Sequence, residues 1–225
     1  KDHLMIRAIL FDAGDILYSK PGRKKSLDEF LISRGYEAST HPDPLVKALR
    51  LSAHAGEISE HLFFEKLMSH YGVTDPKDVA DGIKLLHQEQ RKVVFFDGVA
   101  ETLSQLKASG FKLGIVTNTY NSKDEKYRWF ASIGIHKLWD SYANSCDLKV
   151  IKPDPKIYLA ALDPINVLPS DAAFVGHAKN EIDGAKGLGM TTIRFNPDAD
   201  CVDSDFLAKK FSDLLTLSCI VEAKE

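Results

Sequence analysis

A carboxylate stands where an apolar run stops. Ala8-Ile9-Leu10-Phe11 leads into Asp12, and Gly14 follows two residues later. Main-chain amides in a glycine turn of this kind can face an anion, and the carboxylate beside them can reach a bound electrophile. An aspartate closing an ordinary β-turn carries the same local signature, so the reading depends on what else the chain brings to that point. Thr117-Asn118 closes a second apolar run; a hydroxyl and an amide there bind a phosphoryl or carboxylate oxygen, or equally cap a helix. Lys152 sits in Ile151-Lys152-Pro153-Asp154-Pro155, on a stiff proline turn that opens a helix near residue 154. Beside Asp12 its ammonium would offset the repulsion between that carboxylate and an anionic substrate. Two unit charges about 4 Å apart at an effective dielectric of about 20 interact by roughly 4 kcal/mol. His177 and Glu181 lie about one helical turn apart after Val175-Gly176. Both can face one site, or they cap a helix and complement its dipole.

The elements that must position these residues follow from periodicity. Short β-branched or apolar runs at 6–11, 112–117, 140–144, 172–176 and 190–195 read as strands. Helical periodicity fills 98–109, 122–133, 154–162 and 179–188. Strands alternating with helices imply right-handed crossovers and a doubly wound parallel sheet. In such a sheet the chemistry sits beyond the carboxyl ends of the strands, where Asp12, Thr117 and His177 all stand. Residues 19–93 break the rhythm with amphipathic helical segments: Leu27, Phe30 and Leu31; Leu45, Leu49 and Leu51; Leu62, Phe63, Leu67 and Met68; Ile83, Leu85 and Leu86. Gly35, Pro42, Pro44, Gly72 and Pro76 mark the expected turns. The expectation is a core of residues 1–18 and 94–225 with a helical cap, 19–93, acting as a lid over the strand ends. Arg23, Lys24 and Lys25 form a basic turn in that lid, either solvated or meeting an anionic substrate on closure.

Bulk properties narrow the function classes. The chain has 225 residues, 44% hydrophobic and 27% charged, which suits one core domain with a smaller insertion. A net charge of −3 without a basic stripe argues against nucleic acid, and no apolar stretch reaches the ~20 residues that span a bilayer. Cys146, Cys201 and Cys219 are too scattered for a metal or disulfide framework. Together with an N-terminus that lacks a signal-peptide layout, and with Met5 as the natural start, this leads us to expect a cytoplasmic protein.

Asp12, Thr117, Lys152 and the 176–185 segment share the order and spacing of the haloacid dehalogenase-like hydrolases. The stretches KPDPKIY and GAKGLGM closely resemble that family, and the likeness covers nearly the whole chain. It implies a Rossmann-like core with an inserted helical cap, and an aspartate nucleophile that forms a covalent intermediate. By position, Asp12 is the nucleophile, Thr117 binds the transferred group, and Lys152 neutralises nucleophile and substrate. Amides after Asp12 and at Asn118 would hold developing charge. Two positions depart from the family's phosphatases. Their second aspartate, the general acid/base, is Gly14 here, with Asp15 one residue later as the substitute. At the position of their last Mg2+ ligand stands His177, a poor ligand for a hard ion and also a substrate-binding candidate with Gly14 and Asn118, so that Asp12, the Gly14 carbonyl, Glu181 and His177 would hold Mg2+, another divalent ion, or none. The resemblance therefore implies a phosphatase of a small anionic organic phosphate. A metal-independent 2-haloacid dehalogenase, with Glu181 activating water, is the alternative, and a binding module with altered catalysis the third.

Overall fold

The computed structural model describes residues 6–38 and 43–221. The core is a six-stranded, all-parallel sheet. Its first strand, β1 (Ala8–Phe11), lies in the middle and is buried along its whole length. A two-residue strand, β2 (Tyr18–Ser19), leads into four helices: α1 (Arg23–Ser33), α2 (Pro44–His54), α3 (Glu60–His70) and α4 (Pro76–Gln90). The chain returns through β3 (Val94–Phe95), which pairs antiparallel with β2. The remainder alternates: α5 (Val99–Ala108), β4 (Lys112–Thr117), α6 (Lys123–Ser132), β5 (Ser141–Asn144), a short α7 (Ser145–Leu148), α8 (Pro155–Leu162), β6 (Ala172–Gly176), α9 (Lys179–Gly187), β7 (Thr191–Phe195), β8 (Phe206–Ala208) and a terminal α10 (Ser218–Val221). The strand order is β5-β4-β1-β6-β7-β8. Reversal of the winding direction on either side of β1 creates the crevice at its carboxyl end.

Continuous apolar strands are what a sheet covered on both faces requires. Ile9, Phe11, Ile115 and Val175 pack on one side with Leu103, Leu106 and Phe130. Leu10, Val116 and Phe174 pack on the other with Ile157, Tyr158 and Ile182. The register sets the site: Phe11 lies beside both Ile115 and Val175. Asp12, Thr117 and His177 therefore leave the sheet along one edge.

The four inserted helices bury their own cluster, including Leu27, Leu31, Phe63, Phe64, Leu67, Met68, Ile83 and Leu86. Three apolar residues expected on buried faces, Leu45, Leu51 and Leu62, are instead exposed. On α2 the buried stripe runs through Val46 and Ala53, so Leu45 turns outward and Leu51 borders the cavity that also reaches Asp12. Pro44 and Pro76, expected in turns, are the first residues of α2 and α4, behind Asp43 and Asp75 as side-chain caps. A missing N–H is harmless at that position. Met5 and Pro42 lie outside the described residues. The β2–β3 ribbon and β8 are elements the periodicity did not signal; each is only two or three residues long.

Candidate active site

Asp12 and Lys152 meet in the crevice. Lys152 Nζ is 2.8 Å from Asp12 Oδ1 and 2.8 Å from Glu181 Oε2, with its side chain wholly buried. Ala13 N donates to Asp12 Oδ1 at 2.7 Å. Burial alone would raise the Asp12 pKa, but Lys152, His177 and the Ala13 amide outweigh it and hold the carboxylate ionised. Burial likewise works against the Lys152 ammonium, and Asp12 and Glu181 more than compensate. Glu181 is the weaker partner: burial raises its pKa despite Lys152, because Asp12 adds like charge.

Local sequence explains these placements. Asp154 caps α8 by accepting from Lys156 N, with Pro155 at the first helical position, and so fixes the turn that carries Lys152. Lys152 N in turn donates to Asn118 Oδ1 at 2.9 Å. On α9, a Cβ at Gly184 would lie 2.7 Å from Pro153 Cβ and 3.0 Å from its carbonyl oxygen. Glycine there lets the helix bearing Glu181 press against the segment bearing Lys152. Tyr158 OH donates to the Glu181 carbonyl at 2.8 Å.

Neither Thr117-Asn118 nor His177 serves as a helix cap. Ser122 caps α6, and Ala178 precedes α9 with no side-chain cap. His177 Nε2 lies 3.7 Å from Asp12 Oδ2, and its Nδ1 is 3.0 Å from Asp198 Oδ1. Burial disfavours the imidazolium, yet Asp12 and Asp198 raise its pKa overall. Asp15 is exposed, has a left-handed backbone (φ 58°), and borders the same cavity as Gly14. Its carboxyl is screened from water on the cavity side, and that partial desolvation raises its pKa. The turn amides are not all available, since Ala13 N is held by Asp12 and Asp15 N donates to the Tyr18 carbonyl at 2.8 Å.

Two residues escaped the sequence reading. Lys126 is 3% exposed, and its Nζ donates to Thr117 Oγ1 at 3.1 Å and to Tyr18 OH at 3.0 Å. Burial, then repulsion from Lys20, lowers its pKa to about 7. A signal existed: Lys126 shares the apolar face of α6 with Trp129 and Phe130, where a lysine is out of place. Lys20 bonds to the neutral amides of Gln90 and Asn121 and stacks over Trp129 at 4.5 Å. Burial and Arg23 lower its pKa to about 8. Arg23 and Lys24, on the first turn of α1, also line the cavity, whereas Lys25 is exposed and faces Glu29. The cavity, about 860 Å³, runs from Asp12 and Thr117 to α1 and α2.

One ligand atom each from Asp12, His177 and Glu181 lies within 4.8 Å of the others. That spacing admits an ion, but the donor set does not fit Mg2+. An imidazole nitrogen occupies one corner, and the Lys152 ammonium already sits against both carboxylates.

A doubly wound parallel sheet, with a buried aspartate–lysine pair where its winding reverses, defines a Rossmann-like α/β enzyme core. The sequence model of the haloacid dehalogenase-like hydrolases matches residues 23–195, and the chain belongs to that family of hydrolases. It is 30% identical over 198 residues to a glyceraldehyde 3-phosphate phosphatase of Methanopyrus kandleri, covering 84% of each chain. It is 31% identical over 144 residues to the (S)-2-haloacid dehalogenase 4A of Burkholderia cepacia, covering 62% of this chain and 58% of that one. A crystal structure of a predicted phosphoglycolate phosphatase from Haemophilus somnus superimposes with a TM-score of 0.70 at 19% identity, covering 95% and 98% of the two chains. No helix among the described residues is long and apolar enough to cross a membrane.

Proposed function

We propose that this hydrolase is a phosphatase of small anionic phosphomonoesters, working through an aspartyl-phosphate on Asp12, with helices α1–α4 (the expected cap, 19–93) as its lid. The observation that carries the reading is the cation-lined cavity opening from Asp12, Thr117 and Lys152. A phosphate dianion needs that charge, and the glyceraldehyde 3-phosphate phosphatase relationship along most of both chains supports it. Asp12 Oδ2 attacks phosphorus while Lys152 holds Oδ1 and offsets the anionic repulsion. The Thr117 hydroxyl, accepting from Lys126, keeps its own proton for a phosphoryl oxygen. The Gly14 and Asn118 amides take the oxyanion role, because Ala13 and Asp15 are engaged elsewhere. The P–O bond to the leaving group breaks with its electron pair on the leaving oxygen, which takes a proton from Asp15. Water then attacks the aspartyl-phosphate, returns its proton to Asp15, and releases phosphate.

No step is routed through Mg2+, whose donor set is lacking; charge neutralisation falls to Lys152, Lys126 and His177. That feature also favours a second reading, displacement at carbon as in the dehalogenase relatives, which needs no divalent ion. The test compares phosphate release from a panel of phosphomonoesters with halide release from 2-chloropropionate. Phosphate release that persists in chelator and disappears in Asp12→Asn supports the phosphatase. Halide release alone replaces it with the second reading. Calorimetry gives an independent readout of the metal argument: His177→Asp should acquire saturable Mg2+ binding that the parent lacks.

A further inference from the structure

Five cations line the cavity without an ion pair to any carboxylate among the described residues: Lys126, Lys20, Arg23, Arg50 and, on the exposed side of α2, Lys47. Other lysines and arginines of the inserted helices have acidic partners, as Lys24 at the cavity rim with Asp28, Lys77 with Asp81, and Arg34 with Asp78 and Asp81. The first four form a track. Lys126 is deepest, on the Thr117 hydroxyl. Lys20 is next, sharing Asn121 with the loop that precedes α6. Arg23 and Arg50 are at the far end, on α1 and α2.

The far end is short of negative charge. The groups facing Arg50 are Arg23, Tyr120 and Tyr71, and burial together with Arg23 disfavours its charged form. One turn along the same face of α2, His54 is kept neutral by burial and by Arg50, so it adds no charge of either sign. Glu60 and Glu125 feel the charges of this end without forming an ion pair to Lys20, Arg23 or Arg50: Glu60 Oε2 lies 3.7 Å from His87 Nδ1, and Glu125 accepts from Asn121. Two guanidiniums brought together in a cavity repel one another until an anion lies between them, and their planar forks suit a carboxylate or phosphate. A phosphoryl group held at Asp12 and Thr117 would not by itself answer this second cluster, carried on different helices.

We propose that Arg23 and Arg50, with Lys20, form a second anion subsite, so that the substrate is a phosphomonoester whose far end carries another anionic group, a carboxylate or a second phosphate. This rests on the phosphatase reading for the near end and adds the class of the far end. It also separates this chain from relatives whose named substrate, glyceraldehyde 3-phosphate, ends in an uncharged aldehyde.

The test uses the full-length Asp12→Asn protein, which holds ligand without turning it over, and titrates it calorimetrically. The probes are ω-carboxyalkyl phosphates of two to five carbons, the corresponding bisphosphates, and ω-hydroxyalkyl phosphates of matched length. One carboxylate or bisphosphate length should bind at least about tenfold tighter than its alcohol, and the better of the two arms names the far group. Adding Arg50→Met, or Arg23→Met as a second variant, should collapse that preference to within about twofold. Equal binding of charged and uncharged ends at every length overturns the subsite, as does a preference that survives both substitutions. The unsubstituted enzyme separates the two claims. Phosphate release from the alcohols at the same efficiency as from the charged esters leaves the phosphatase and removes the subsite. Selective binding of charged ends without any phosphate release leaves the subsite and removes the phosphatase.

Discussion

At the scale of single residues, Lys126 is the group that stability alone would not keep. It is an ammonium 3% exposed whose partners are two hydroxyls; a buried charge without a counter-charge is disfavoured, and replacing even a paired buried charge by apolar side chains is often neutral or stabilising by about 1–4 kcal/mol. Lys126→Met should therefore raise the unfolding free energy by about that much while reducing affinity for phosphate esters. The pH dependence fixes the sign. The folded pKa, about 7, lies below the value of 10.5 taken for the free side chain, so from pH 7 upward the unfolded chain binds the extra proton and the parent gains stability. The advantage of the methionine variant is thus largest below pH 7 and shrinks as pH rises toward 10.5; denaturant titrations at pH 6 and 9 measure it. An advantage that is absent at pH 6, or that grows with pH, would contradict the assignment. Gly14 supports a second prediction. A Cβ there meets nothing within 4 Å, so Gly14→Asp should fit and add a second acid to the one that Asp15 supplies. We expect a rise of at least about tenfold for alkyl phosphates, at the low side of the roughly 10²–10⁴ that such groups contribute, and little change for p-nitrophenyl phosphate, whose leaving group needs no proton. Equal effects on both esters would rule out the protonation role. Asp12, Thr117, Lys152 and Glu181 were legible because each ends or follows a recognisable run. Lys126 was not, because nothing local distinguishes it from a solvated helix lysine until the neighbouring aromatic residues show that its face is buried.

At the scale of elements, the site is a matter of how closely two segments approach. α9 brings Glu181, the 152–155 turn brings Lys152, and Gly184 against Pro153 sets the gap between them. Gly184→Ala would drive a methyl group to 2.7 Å from a proline ring that cannot rotate away. We expect a loss of about 1–3 kcal/mol from overpacking, accompanied by a fall in kcat well beyond what the unfolded fraction explains, because the Lys152–Glu181 contact opens. Unchanged kcat in a folded Gly184→Ala protein would show that this approach does not govern the site. The parallel strands and the helices of the core could be read from the sequence, since burial on both faces leaves an unbroken apolar run and each crossover helix keeps its 3.6-residue period. The faces of the inserted helices could not be read as well. Leu45 and Leu51 lie on α2, but its inward side is chosen by packing against α3 and by the cavity that Arg50 and His54 face, neither of which a single helix reveals. The two-residue strands β2 and β3 are too short to show alternation at all.

At the scale of the whole molecule, a chain of net charge −3 lines one cavity with seven lysines and arginines against three carboxylates, and fields in such a cleft are focused by the low-dielectric walls. Two of those cations titrate near neutrality: Lys126 at about 7, and Lys20 at about 8. Lys126 faces Tyr18, Thr117 and Lys20, with Asp12, Lys152 and Glu125 further off. Lys20 faces Arg23, Glu125, Glu60 and Asp15 beside its amide partners. An anion binds the protonated forms preferentially, so affinity must fall as pH climbs through both values, with log KM rising by at most one unit per pH unit for each proton lost. Guanidinium groups as a class keep their charge over this range, which sets a floor to the loss. We expect KM for a phosphomonoester to rise about tenfold between pH 7 and pH 9, where the phosphate itself is already dianionic and contributes no change of its own. The rise should diminish in Lys126→Met and should steepen at low ionic strength, where screening is weak. Steady-state kinetics at two salt concentrations decide the matter: a KM flat across that pH range would mean that the buried lysines do not touch the bound anion.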